Sequence, residues 1–366
     1  MKNNPLDDIV KCRIEISNPA SADDTFDNIL LIVKEPGAEG EKKITGTFET
    51  ASADELLDYG FTEKDSAYAA AWIAFSQDPS PDSVFVCVRK KEEGQEDAYE
   101  SIEKTLDRAD AEAAFYGIHL TDFRSTADRE TAMQWAEEHE KLFGFEYLDD
   151  ENLPEKDFQW YRSFSMYAGN ADGYDPETLP AGNRFLALAW MAKCFGYDPG
   201  TETWHLKELT GAVPSALDAK DKQKLTSRKI NTFLRYAGCN VTIGGFTLAG
   251  EWIDVIRFRD WLKAEMQASV FGALRANRKV PFTDAGIGLI EGKMEETLAR
   301  GQAVGGIAPS EYDSDGNETP GYQVFVPRAT DLTELERKTR KLTGCRYTAR
   351  LSGAIHAVEI QGFLSF

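Results

Sequence analysis

Apolar and polar residues alternate along the first segment, where Val10, Cys12, Ile14 and Ile16 are interleaved with Lys11, Arg13, Glu15 and Ser17. A period of two predicts a half-buried strand over residues 9–17. After turn-rich residues 18–24, Ile29 to Val33 form an unbroken apolar run, the pattern of a strand covered on both faces. Pro36, Gly37 and Gly40 end it. Helix and strand signals then alternate: helix over 65–77, strand over 83–89, helix over 96–113, strand over 115–120, helix over 128–142 and strand over 145–148. This order predicts an α/β domain with a partly parallel sheet and helical crossovers, spanning about residues 21–240.

The second half of that domain reads less regularly. Residues 169–180 form a polar loop, 183–195 an apolar helix, and 220–236 a candidate helix with a basic face. Gly244 and Gly245 read as a tight hairpin turn between 241–243 and 246–248, so a second region is placed at 241–353. There Val255, Leu262, Met266, Val270 and Leu274 share one side of the longest helix, and Asp254 and Arg257, three apart, read as a solvated ion pair. Pro281 stops this helix, Thr283 or Asp284 caps the next over 285–300, and Gly301 ends it. A loop (305–321), a strand (322–326), a charged helix (331–341) and another strand (346–351) follow. From Ala354 onward Val358, Ile360, Leu364 and Phe366 lie on one side of a last amphipathic strand. The division is an arm (1–20), an α/β domain (21–240), an inner domain (241–353) and a terminal strand (354–366).

Chain ends usually fray and carry polar residues, so apolar alternation at both ends requires a cover. Two readings are open: each end strand pairs within its own subunit, or each adds to a neighbouring one. A donated strand of this length makes about five main-chain hydrogen bonds, each contributing roughly 0.5–1.5 kcal/mol net, besides burying apolar side chains. Because each copy donates to one neighbour and receives from another, such a contact propagates as a ring or helix.

Composition narrows the function. With 366 residues, 42% hydrophobic, 11% aromatic and 28% charged, the chain has the make-up of an ordinary globular protein of one large or two ordinary domains. A net charge of -21 and a pI near 4.7 argue against nucleic acid, whose binding comes from counterions displaced by Lys and Arg, and against an acidic membrane surface. The apolar run 69–75 is far short of the roughly 20 residues that span a bilayer, and residues 1–8 lack the basic and apolar regions of a signal peptide. Cys12, Cys87, Cys194, Cys239 and Cys345 stand singly, which predicts reduced packing residues.

Signals for chemistry are weak. Gly286, Gly288, Gly292 and Lys293 fit neither phosphate-loop spacing, and Met294 stands where a magnesium-binding hydroxyl is needed. Asp313, Asp315 and Gly316 place the glycine too early for a calcium loop. His119, His139, His205 and His356 are isolated, and the acidic pairs Asp149/Asp150 and Glu137/Glu138 lie on polar segments that read as solvated. No catalytic, cofactor or metal residue is assigned. Arg337, Lys338, Arg340, Lys341 and Arg346 form the one concentrated basic patch.

Several segments resemble the tail sheath family of contractile phages and related injection machines. They are Gly250, Trp252, Ile253 and Asp254 through Asp260, Trp261 and Leu262; Lys279 to Gly286; Gly321, Tyr322, Val324 and Pro327; and Gly353 to His356. Weaker likeness lies at 26–32, 76–81 and 135–143. The resemblance implies a mixed α/β tail-sheath fold with an outer domain, an inner domain and extended β-arms at both ends. It also implies a virion-tail subunit, assembled in the host bacterial cytoplasm, that stacks as six-membered rings around a tail tube and contracts from the baseplate. A tail terminator is the remaining partner, and no nucleic acid, membrane insertion or cofactor is implied. On this reading Val10, Cys12, Ile14, Ile16, Val358, Ile360, Leu364 and Phe366 are inter-subunit arms, and Arg337, Lys338, Arg340 and Lys341 face an acidic tube. The alternative is a cytosolic α/β enzyme whose site is assembled from residues distant in sequence.

Overall fold

The structure, a computed structural model, describes residues 26–36, 46–92, 98–147, 160–169 and 179–363. The N-terminal arm residues Val10, Cys12, Ile14 and Ile16, and the terminal Leu364 and Phe366, lie outside them. The chain divides into two compact units, Met1–Ala276 and Asn277–Phe366.

The first unit is built on β1 (Ile29–Val33), β2 (Gly46–Thr50), β3 (Val84–Val88), β4 (Gly117–Leu120), β5 (Leu142–Tyr147), β6 (Ser163–Tyr167), β7 (Asn231–Tyr236) and β8 (Cys239–Ile243). Their order in one eight-stranded sheet is β2-β3-β1-β4-β5-β6-β7-β8. The six strands β3, β1, β4, β5, β6 and β7 run parallel, and antiparallel β2 and β8 close the two edges. The run Ile29–Val33 is buried throughout, and its period of two sorts it between two cores: Ile29, Leu31 and Val33 on one face, Leu30 and Ile32 on the other. Helices α1 (Glu55–Asp58), α2 (Ser66–Phe75), α5 (Ala181–Arg184), α6 (Leu186–Phe195) and α7 (Ala219–Ser227), with α3 (Ile102–Glu112) and α4 (Thr126–His139), complete the crossovers. Helices α2 and α6 contribute to the first core, and α3 and α4 to the second. Gly144 on β5 has no side chain because a Cβ there would meet the Phe164 ring at 2.6 Å.

The long helix α8 (Ile253–Ala276) ends this unit and is anchored by charge as well as by apolar packing. Asp260, fully buried, receives both Arg162 Nη1 at 2.6 Å and Nη2 at 3.0 Å, the Tyr116 hydroxyl at 2.8 Å and Arg259 Nη2 at 2.8 Å. Burial alone would push the Asp260 pKa up, but the two guanidinium groups outweigh it and hold it down. Arg257 is not in a solvated pair with Asp254: it is 1% exposed, donates to Glu202 Oε1 at 2.7 Å and satisfies the Phe26, Cys194 and Phe195 carbonyls.

Three further expectations are revised. Residues 220–236 are not one helix: α7 ends at Ser227, Lys229 takes a positive φ of 57°, and Ile230, packed in the core, leads into β7. The hairpin turn lies at Ala237 and Gly238, between β7 and β8. Gly244 and Gly245 instead wrap the Asn231 side chain, whose Oδ1 accepts Gly245 N at 2.8 Å, and a Cβ on Gly244 would collide with that oxygen. The boundary read at 240/241 therefore falls inside a hairpin of one sheet, while compactness divides the chain at 276/277.

Candidate assembly surfaces

The second unit begins with α9 (Asp284–Ala303), whose N-cap Thr283 accepts from Gly286 N at 3.3 Å. Gly286, Gly288, Gly292 and Lys293 are thus helical, without phosphate-loop geometry. A short hairpin of β9 (Glu311–Tyr312) and β10 (Glu318–Thr319) follows. Its turn is tied by Asp313 Oδ1, which accepts from Asp315 N at 2.9 Å and Asn317 N at 2.8 Å. Among the described residues no group of His, Cys, Asp and Glu is arranged to hold a metal ion.

Strands β11 (Tyr322–Phe325) and β12 (Arg346–Ala349) pair antiparallel as an isolated two-stranded ribbon. Such a ribbon is marginal without further strands. Beyond β12, Leu351 forms a single bridge with Ile307; no other strand flanks either edge among the described residues. Residues 352–363 then run on without strand or helix assignment. Their apolar side chains face outward: Ile355 is 84% exposed, Val358 73%, Ile360 86% and Phe363 95%. Four large apolar side chains left almost entirely in water forfeit roughly 1.5–3 kcal/mol each relative to burial. Val358 and Ile360 share one parity as expected, while Ile355 and Phe363, absent from the sequence assignment, share the other.

Among the described residues, both edges of the first unit's sheet are engaged at particular positions. At β2, Glu112 Oε2 accepts the Thr47 amide at 2.8 Å; at β8, Thr242 donates to the Lys207 carbonyl at 2.9 Å and accepts from Leu206 N at 2.9 Å. Both sheet edges thus have outward main-chain groups already engaged, a standard way to prevent unwanted strand pairing.

The basic patch lies on the second unit, around α10 (Glu334–Thr339), which follows the 3-10 turn Ala329–Asp331 and carries a Thr333/Glu336 capping box. Arg337 is spent internally, bonding the carbonyls of Phe282 (3.1 Å) and Ala329. Lys338, Arg340 and Lys341 are exposed and make no salt bridge among the described residues, and Arg346 lies 5.0 Å over the Phe325 ring. The second unit holds 11 Lys and Arg against 12 Asp and Glu, so nearly all of the net charge of -21 belongs to the first.

Three of the isolated histidines, His119, His139 and His205, have structural partners in the first unit. His119 Nε2 lies 3.2 Å from Glu146 Oε1, and burial, which opposes ionisation of Glu146, is outweighed by His119, Arg124 and the Ala187 amide. Glu137, read as solvated, is half-buried and accepts Arg162 N at 2.6 Å. Cys87 and Cys194 are packing residues, whereas Cys239 is exposed at the β7–β8 turn.

The α/β body is followed in sequence by an open two-stranded ribbon and an exposed apolar tail, features suited to strand exchange between copies. Residues 253–363 match the family model of the E217 tail sheath protein gp31-like C-terminal domain, which establishes the tail sheath resemblance over that segment. No curated protein sequence matches the chain. Over most of its length the chain is similar in fold to chains of solved sheath and baseplate structures. A chain of the anti-feeding prophage helical sheath in its contracted state has 11% identity, covers 97% of each chain and gives a TM-score of 0.66. A chain of the anti-feeding prophage baseplate has 12% identity, 98% coverage of each and a TM-score of 0.65. The sheath tail protein Lin1278 from Listeria innocua has 8% identity over 82% of this chain and 88% of its own, with a TM-score of 0.54. At such identities the likeness establishes the fold.

Proposed function

We propose that this chain polymerises by strand exchange as the subunit of a contractile tail sheath, stacking in six-membered rings around an inner tube and shortening when a baseplate releases it. The observation that carries this reading is the exposed tail beside an open ribbon: Ile355, Val358, Ile360 and Phe363 are exposed, and β11–β12 pairs with no further strand among the described residues. The tail 354–366 of one copy adds to the ribbon of the next, and the N-terminal segment carrying Val10, Cys12, Ile14 and Ile16 supplies a further strand. A contact of this kind is heterologous, so it closes into rings or extends as a helix. The strands act as tethers that keep neighbours linked while the bodies rearrange, and the driving energy comes from better contacts in the shortened lattice.

The likeness to sheath and baseplate chains supports the same assembly, with the tube, the baseplate and a terminator as partners. Lys338, Arg340 and Lys341 face the tube on this reading, while Arg337 braces the loop that presents them. Negative-stain electron microscopy of the full chain should show rings or tubes, and removal of residues 354–366 should leave only discrete small particles. Polymers that survive that truncation would refute strand donation from this end.

A further inference from the structure

The two edges of the first unit's sheet carry opposite charge. At the β2 edge, residues 46–65 hold Glu49, Asp54, Glu55, Asp58, Glu63 and Asp65 against Lys64 alone. The field there is concentrated: Asp54 accepts the Tyr68 hydroxyl at 2.8 Å, and with Glu63 nearby the phenol is pushed above its ordinary pKa, the Asp54 hydrogen bond being the main cause. At the β8 edge, residues 218–240 hold Lys220, Lys222, Lys224, Arg228, Lys229 and Arg235 against Asp218 and Asp221. Helix α7, which contributes three of these six cations, packs on β7 beside the hairpin. In a chain of net charge -21, a basic edge within the acidic first unit calls for a partner. Lys220, Arg235, Asp58 and Glu63 are exposed and make no salt bridge among the described residues.

We propose that the basic α7/β7–β8 edge docks against the acidic β2–α1 edge of a second copy of this chain, head to tail. The contact is one of side-chain charge, since the Thr47 amide on β2 is already taken by Glu112 and the Thr242 main chain on β8 by residues 206–207. Opposite patches at opposite ends of one sheet cannot satisfy each other within a subunit: seven strand gaps of about 4.8 Å separate them by roughly 34 Å. They can do so only between copies, and the resulting contact is again heterologous and propagating. It is independent of the tail, and adds lateral cohesion between bodies that strand tethers alone leave loosely related.

Zero-length carbodiimide crosslinking of the full chain tests this directly, because a Lys220 link to Asp58 or Glu63 spans too far to form within one copy. Such a link, lost at about 1 M salt where charges are screened to roughly 3 Å, is the expected result. Reversing one edge with Lys220→Glu and Arg235→Glu should raise the protein concentration needed for assembly about tenfold or more at low salt, since exposed pairs act weakly but several are inverted together. Adding Asp58→Lys and Glu63→Lys should restore assembly, while the thermal midpoint of the isolated subunit stays unchanged in all variants. Absence of the crosslink, or a double reversal as defective as the single one, overturns the proposal. The tail-truncated chain separates the two contacts: it loses polymers if strand exchange holds, yet keeps the salt-sensitive crosslink if the edges dock.

Discussion

Replacing Ile360 by alanine separates a residue that stabilises its own subunit from one that stabilises a neighbour. In the isolated chain Ile360 is 86% exposed, so its truncation should change subunit stability by no more than about 0.5 kcal/mol, the range of ordinary surface substitutions. If the tail is laid into a neighbour's ribbon, the side chain becomes buried, and losing most of it costs about 2 kcal/mol per contact. At about 1.4 kcal/mol per factor of ten, this weakens each link roughly thirtyfold. Every subunit donates one tail, so the loss is repeated at each joint and should appear as shorter polymers and a higher assembly concentration. Sedimentation velocity measures the polymer, and thermal unfolding of dilute subunits measures the fold. A variant with a lowered unfolding midpoint and unaltered polymers would show that the tail folds onto its own molecule, and the argument would fail.

Three other outcomes follow from named contacts. Asp260→Asn should destabilise the first unit by about 3–5 kcal/mol in chemical denaturation, because Arg162 and Arg259 would be left buried without their counter-charge. Asp254 has its pKa raised from 3.8 to about 6, chiefly by burial and then by Glu202. Its folded state therefore holds a proton more tightly than the unfolded chain, and that contribution to stability is present below about pH 4 and lost as pH rises through about 6. At about 1.36 kcal/mol per unit this amounts to at most roughly 3 kcal/mol, so Asp254→Asn should be the more stable form at pH 8 and match the parent near pH 4 in urea titrations. In the basic region, Lys338→Glu with Lys341→Glu should weaken binding to tubes while leaving the fold intact, whereas Arg337→Ala should lower the thermal stability of the second unit by about 1–3 kcal/mol through loss of its two carbonyl contacts.

Much of the fold is legible in the pattern of the chain, and the exceptions have physical causes. Ile29 to Val33 announces a doubly covered strand, and the helix–strand alternation through Tyr147 announces the crossovers, because burial on two faces leaves no polar position in the run. Residues 220–236 mislead because α7 and β7 adjoin with only Arg228 to Ile230 between them, and a left-handed Lys229 gives no glycine or proline signal at the break. Arg257 looks solvated in sequence, paired with Asp254, because charge normally marks the outer face of a helix; only the fold brings Glu202 to meet it, as it brings Arg162 and Tyr116 to Asp260. The tail is recognisable from Val358 and Ile360, but Phe363 escapes notice because it lies on the opposite parity, and the open β11–β12 ribbon is invisible until pairing is known.

The distribution of unprotected main chain links these features. A parallel sheet of this size exposes two edges, and each is a hazard for uncontrolled pairing unless it is covered. Here each edge is engaged at a point among the described residues, by the Glu112 carboxylate at Thr47 on β2 and by residues 206–207 at Thr242 on β8, which disfavours strand addition there. The second unit is arranged the other way, with a ribbon of two strands and an apolar extension left in solvent. A chain that blocks strand addition at its large sheet and permits it at its small one confines pairing to a single type of joint. Charge is partitioned along the same line, with the near-neutral second unit offering little repulsion to another copy while the acidic first unit resists indiscriminate association. If tails link neighbours as proposed, net repulsion between acidic bodies disfavours every contact except one matched in charge, which favours an ordered, tethered polymer over an amorphous aggregate.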